Sequence, residues 1–257
     1  MAAQLRIDKA AVRRRFERAA AGYDEHARLQ SAMAAELLPL IEGEPAAVLE
    51  LGCGTGRLTA CLRERFGGAA IEAVDFAAAM IERARERVPS VRYRLADVEQ
   101  LEWPPASFDL VISNATAQWL AEPARTLARL AASLRPSGQL LLSSFGPRTF
   151  NELDALLAEL GHDRGMRLRD ADEWKALLAG AGLTEIRTAA REERLLYPDS
   201  AAFLRSVKAA GAGYTPSPPP SATLAEALRR YDARFREGGG VVATYELVFL
   251  SARRPAD

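Results

Sequence analysis

The segment "VLELGCGTG" (48–56) constrains this chain more than any other. A β-type apolar run enters a turn holding Gly52, Cys53, Gly54 and Gly56, and the helix-forming stretch "RLTACLRERF" (57–66) leaves it. Glycines in such a turn permit positive φ and let the backbone approach a ligand closely. Strand, glycine turn and helix in this order open a parallel sheet that binds ligands beyond the carboxyl ends of its strands. The spacing excludes two common ligands. A dinucleotide fingerprint would need glycine at Arg57 or Thr59, and a P-loop would need Gly-Lys-Ser/Thr after the turn.

Strands and helices alternate along the rest of the chain. Residues 8 to about 42 are helical in composition, with an interruption at Gly22. Strands are expected at 46–51, 70–75, 91–97, 108–113 and 138–145, with helices at 57–66, 77–88 and from Pro123, which suits a first helical position. Thr149-x-x-Glu152 reads as a capping box before a helix that stops at Gly161. A helix at 171–180 and a strand at 184–197 follow. Residues 198–236 then read as two helices around the stiff loop "YTPSPPPS", with Thr223-x-x-Glu226 as a second capping box. The strand "VVATYELVFLSA" (241–252) closes the chain. The expected class is α/β: an open, mostly parallel sheet with helices on both faces.

Three acids surround the glycine turn. Asp75 ends the second strand, where a carboxylate accepts from both hydroxyls of a ribose. Asp97 ends the third, where it can accept from an adenine amine while the backbone of Val98 meets ring nitrogens. Phe76 and Met80 could cover the adenine faces. Glu50, just before the glycines, could hold a ligand amine. Each acid alone would pass for a helix cap or a surface charge; three at successive strand ends around one loop point to a nucleoside.

Composition narrows the partners. Thirty-four basic and thirty-four acidic residues balance, which argues against a globally basic nucleic-acid binder. Cys53 and Cys61 with only His26 and His162 form no metal-ligand spacing, so no metal is expected. There is no apolar run of about 18 residues, so no membrane span is expected, and a cytoplasmic location is the default expectation. The first twenty residues are locally basic, through Arg6, Lys9, Arg13, Arg14, Arg15 and Arg18.

"VLELGCGTG", "AVDF", "LADVEQL", "FDLVIS" and "LRPSGQLLL" together resemble the ordered motifs of class I S-adenosylmethionine-dependent methyltransferases. That resemblance implies a Rossmann-like, seven-stranded, mostly parallel sheet with an antiparallel last strand. It implies S-adenosylmethionine as cofactor, with S-adenosylhomocysteine as product. The expected organisation is one domain over 1–257: a helical cover (1–42), a cofactor-binding core (43–197), a helical lid (198–236) and the final strand (237–257).

A narrower resemblance rests on "FERAAAGYDEHARLQ", "SNATAQWL", "FGPRTFNEL", "LRSVKAAGAG" and "YELVFLSA". These are similar to the malonyl-acyl carrier protein O-methyltransferases of biotin synthesis. The lid departs from that pattern with Ala210 where isoleucine is expected. The implied reaction methylates the free carboxylate of a malonyl thioester carried on acyl carrier protein, or on CoA. Such an acid is ionised at neutral pH, with a reference pKa of roughly 4, so no general base is required. Tyr23, His26, Gln118, Trp119, Arg148 and Lys208 are the candidates for orienting the acid, and Asn114 for the methionine portion of the cofactor. An acidic carrier implies a basic docking face, for which Arg13–Arg15, Arg18, Arg205 and Lys208 are candidates. Two rival readings are a methyltransferase for another small acid or a quinone-type acceptor, and a non-catalytic adenosyl-ligand sensor.

Overall fold

Strands buried on both faces need near-continuous apolar runs, and "AVLEL" and "FDLVIS" supply them. In the computed structural model, which describes residues 7–256, they become β1 (Ala47–Leu51) and β4 (Phe108–Ser113) at the centre of one sheet. Arg6 lies outside the described residues. β2 (Ala70–Asp75) and β3 (Arg92–Leu95) extend the sheet on one side, parallel to β1. β5 (Leu134–Phe145) continues it beyond β4, also parallel. The last strand, β8 (Gly240–Arg253), inserts antiparallel between β5 and β6 (Thr184–Tyr197), giving the order β3-β2-β1-β4-β5-β8-β6. A two-residue strand, β7 (Arg236–Glu237), pairs with the start of β8 and was not anticipated.

The helices fall where composition predicts them. The cover breaks into α1 (Lys9–Ala19), α2 (Tyr23–His26) and α3 (Arg28–Leu37), with Gly22 at the first break. α4 (Arg57–Arg65) and α5 (Ala78–Arg87) follow β1 and β2. α6 (Pro123–Ser133) starts on its proline and buries Leu127, Leu130 and Ala131 at helical spacing. α7 (Asn151–Glu159) and α8 (Ala171–Gly180) precede β6. α9 (Ser200–Ala209) and α10 (Ser221–Arg234) form the segment between β6 and β8.

Both expected capping boxes are absent. Phe150 takes φ 66° and α7 begins after it, while Glu152 accepts from the Thr244 N–H and hydroxyl of β8. α10 begins at Ser221 behind Pro220, and Glu226 pairs with Arg229 and Arg230. The box that does form is Asp170–Glu173 at the start of α8. In each failed case a tertiary or side-chain partner outcompetes the local cap.

The β1–α4 turn is fixed by packing as well as by conformation. Gly56 has φ 79°, and a Cβ there would stand 2.9 Å from Cα of Ala84 in α5. Gly56→Ala should therefore combine a left-handed penalty of about 1–2 kcal/mol with overpacking. Thermal denaturation should show a clear fall in Tm. Gly67→Ala, where a Cβ meets open space, should stay near wild type.

Candidate active site

The turn after β1 lies against the end of β2. Gly52 and Cys53 donate to the carbonyl of Val74, and Gly54 donates to Asp75 Oδ2 at 2.9 Å. The other Asp75 oxygen accepts from the Ala77 N–H at 2.9 Å. Burial pushes the Asp75 carboxyl up to about 6 even though these N–H groups oppose the rise. Gly54 has φ 53° with open space where its Cβ would be, so the loop presents bare backbone.

This open side is a narrow cleft of about 70 Å³ over the strand ends. Gly52, Gly54, Asp75, Phe76, Met80, Asp97, Val98 and Asn114 line it, all of them residues the sequence nominated. Asp97 receives its hydrogen bonds on Oδ1, from Lys9 Nζ at 2.8 Å and the Glu99 N–H at 3.0 Å. Glu50, Cys53 and Gly56 are not in the lining. Glu50 is 1% exposed, its Oε2 has no hydrogen-bond partner among the described residues, and burial pushes its carboxyl up to about 8. Cys53 is buried, which drives its thiol well above its ordinary value. The Asn114 amide is already engaged: Nδ2 donates to the Gln30 carbonyl at 2.8 Å and Oδ1 accepts from Ser143 Oγ at 2.7 Å. Its side chain thus ties α3 to β5, and its carbonyl accepts from Thr116 Oγ1 at 3.1 Å.

Beside the cleft lies a far larger cavity of about 890 Å³. Phe16, Tyr23, Ala115 and Trp119 line both spaces and so form their shared wall. Trp119 is held edge-on between Phe16 and Tyr214, at centroid distances of 6.0 and 6.2 Å. Tyr23 is raised well above the ordinary phenol value, by burial first and by the Asp75 charge second, so it remains a neutral donor. Gln118 is buried on the cavity wall, where Nε2 donates to the Ala115 carbonyl at 2.6 Å. His26 lines the cavity from an exposed position.

Arg148 and Lys208 do not join this group. Arg148 is 62% exposed and pairs with Glu192 at 2.5 Å, while Lys208 lies exposed on α9; neither lines the cavity. The cations that do are Arg28, Arg164 and Arg191. Arg191 is paired with Glu36 and Glu193. Arg164 is the most enclosed, at 14% exposure. Its Nε and Nη2 bind Asp154 at 2.5 and 2.7 Å, and its guanidinium sits 5.6 Å from the Phe150 ring centre. Tyr197 and Tyr245 share a hydroxyl–hydroxyl bond of 2.9 Å on the same cavity wall. Sequence reading missed Lys9, Arg164 and this tyrosine pair. Arg164 sits in an irregular loop whose only cue is the apolar Met166 and Leu168 within a charged run. Among the described residues no group of three or more His, Cys, Asp or Glu could hold a metal, and no helix is long and apolar enough to cross a membrane.

Comparison with known proteins adds three findings. A family model described as a methyltransferase domain matches residues 49–142. The chain is 37% identical to the malonyl-acyl carrier protein O-methyltransferase of Paenibacillus sp. (strain JDR-2), over 95% of this chain and 98% of that protein. It is also 37% identical to the enzyme of that name from Geobacter sulfurreducens, over 96% and 100%. Among solved structures, the YcgJ protein of Bacillus subtilis superposes with a TM-score of 0.66 at 15% identity, covering 88% of this chain and 99% of that one. Phosphoethanolamine N-methyltransferase 2 of Haemonchus contortus, in complex with S-adenosyl-L-methionine, gives 0.59 at 16% identity, covering 93% and 57%. These structures share the fold.

The buried Glu50 makes stability depend on pH. Its folded pKa is raised from 4.5 to about 8, so between those values the folded chain retains a proton that the unfolded chain has lost. Stability should therefore fall as pH rises through this window. Chemical denaturation between about pH 6 and 8, above the Asp75 transition, isolates the effect. Wild type should lose stability relative to Glu50→Gln over that range; parallel profiles would contradict the assignment.

Proposed function

This chain belongs to the malonyl-acyl carrier protein O-methyltransferases, and we propose that its cavity seats the malonyl acid against the cofactor cleft across the Tyr23–Trp119 wall. The enzyme methylates the free carboxylate of a malonyl thioester borne by acyl carrier protein, a step of biotin synthesis. The observation that carries the seating is the pair of spaces meeting at four residues, one of them a phenol kept protonated.

The cleft suits S-adenosylmethionine. Its acids offer acceptors for hydroxyls and amines, and Glu50 Oε2, buried beneath the loop, has no partner among the described residues. Among the described residues Lys9 is the one cation in the lining, which does not suit a ligand rich in phosphates. We assign Asp75 to the ribose, Asp97 and Val98 to the adenine edge, Phe76 and Met80 to its faces, and the loop carbonyls, with Glu50 buried beneath them, to the methionine amine. Bound in the cleft, S-adenosylmethionine would supply an electrophilic sulfonium methyl to the acceptor carboxylate.

The chain's own work is orientation and exclusion of water. An ionised acid gives up no proton in the transfer, so the reaction asks for no general base. Aromatic faces of Tyr23 and Trp119 favour a neighbouring cation. Arg164, rather than Arg148 or Lys208, is the group we assign to steer the malonyl acid. Asp154 already neutralises part of its charge, so it can align a carboxylate without a full ion pair that would blunt the nucleophile. The hydroxyl pair of Tyr197 and Tyr245 offers a neutral donor for the thioester carbonyl.

Purified protein given S-adenosylmethionine and malonyl-acyl carrier protein should yield the methyl ester, read by mass spectrometry. Cofactor binding without ester would favour the sensor reading. Arg164→Gln should raise KM for the malonyl thioester about 10-fold or more, the loss of a charged hydrogen bond, with cofactor affinity near wild type. Docking is tested separately. α1 packs on α9, and Arg14 and Arg205 are exposed on these helices. Reversing both charges should raise KM for carrier-bound malonate and leave KM for malonyl-CoA unchanged; equal effects would remove the docking face.

A further inference from the structure

One carboxylate links the cover to the glycine loop. Asp24, in α2, accepts from the Thr55 hydroxyl at 2.7 Å and from Arg87 Nη2. Thr55 lies between Gly54 and Gly56 and is 3% exposed. Arg87, in the last turn of α5, also donates Nη1 to the Thr55 carbonyl at 2.8 Å and to its hydroxyl oxygen at 3.1 Å. Arg57, at the start of α4, stands 3.7 Å from the same carboxylate. Loop, α4 and α5 thus converge on a side chain that belongs to none of them.

What Asp24 carries is functional surface. Its neighbour Tyr23 lines both the cleft and the cavity, and His26 lines the cavity. α2 is only four residues long and has no side-chain cap, so its own hydrogen bonds do little to fix it. The loop is meanwhile held on its other side, where Gly54 donates to Asp75. An ordinary exposed ion pair contributes little. Here the Asp24 side chain is 29% exposed and that of Arg87 34%, and the two share the buried Thr55 hydroxyl. Burial alone would raise its carboxyl, yet hydrogen bonds from Arg87 and Thr55 hold it below the ordinary value, so it stays charged.

We propose that Asp24 is a positioning residue that latches the Tyr23–His26 wall of the acceptor cavity onto the cofactor's glycine loop, setting acceptor binding by the geometry of that loop. The latch rests on the methyl-transfer reading. It predicts a particular split in kinetics. Asp24→Ala frees α2 and its wall but leaves the loop held by Asp75 and Val74.

The test measures kcat and KM for the malonyl thioester, Kd for S-adenosylhomocysteine, and Tm, in wild type, Asp24→Ala, Asp24→Asn and Thr55→Val. Asp24→Ala should lower kcat/KM for the acceptor about tenfold or more, while Kd for the cofactor product stays within about threefold. Asp24→Asn keeps an oxygen for Thr55 and should lose less. Thr55→Val removes the hydroxyl that donates to Asp24 and accepts from Arg87, without touching the carboxylate, and should move the same parameters, which keeps the proposal testable if Asp24→Ala does not fold. A lowered Tm with unchanged acceptor kinetics would overturn the latch, as would a loss of cofactor-product affinity equal to the loss in kcat/KM. A wild-type protein that makes no methyl ester would instead overturn the methyl-transfer reading.

Discussion

The backbone bonds that fold the turn after β1 onto the end of β2 organise the rest of the site. Gly52, Cys53 and Gly54 spend their N–H groups on Val74 and Asp75, so the loop closes over β2 while exposing bare backbone toward the cleft. Gly56 then lets α4 approach Ala84 of α5. With the loop fixed, the ends of β2, β3 and β4 present Asp75, Asp97 and Asn114 around one space. The two buried acids are the electrostatic cost of this geometry. Both are pushed up by burial, and a cationic ligand group beside them would relieve it.

The acceptor cavity has a different origin. It depends on the antiparallel insertion of β8, which pairs with β6 past the end of its pairing with β5, out to Tyr197 opposite Val241. Alternate residues of a strand share a face. Arg191, Glu193, Leu195 and Tyr197 accordingly line the cavity together, and Tyr245 meets Tyr197 across the pair. α9 and α10 close the arm, and Gly211 after α9 sits so close to Phe16 that a Cβ would stand 2.7 Å from its ring. α1 and the segment after α9 therefore meet on Phe16, beside the shared wall.

These two origins explain what could be read in the sequence. The core strands, their helices and the cleft follow from local pattern: apolar runs, glycines at a turn and acids at strand ends. Of the residues nominated to orient the acid, Tyr23, His26, Gln118 and Trp119 line the cavity. Arg148 and Lys208 do not, because which side of a helix or loop faces the cavity is set by tertiary register. Arg164 was illegible for the same reason: its loop has no periodicity, and its role depends on Asp154 and Phe150 meeting it from α7 and the segment before it. Thr149 and Glu152 resembled a cap but bind β8, a partner about ninety residues away that local spacing cannot reveal.

The central claim is that cofactor cleft and acceptor cavity meet at the wall of Phe16, Tyr23, Ala115 and Trp119. A crystal structure of the S-adenosylhomocysteine complex tests it most directly. The account predicts electron density with the adenine near Asp97 and the sulfur at that wall, facing Gln118 and the cavity. A sulfur atom turned away from Tyr23 and Trp119, or a ligand seated entirely within the larger cavity, would contradict it.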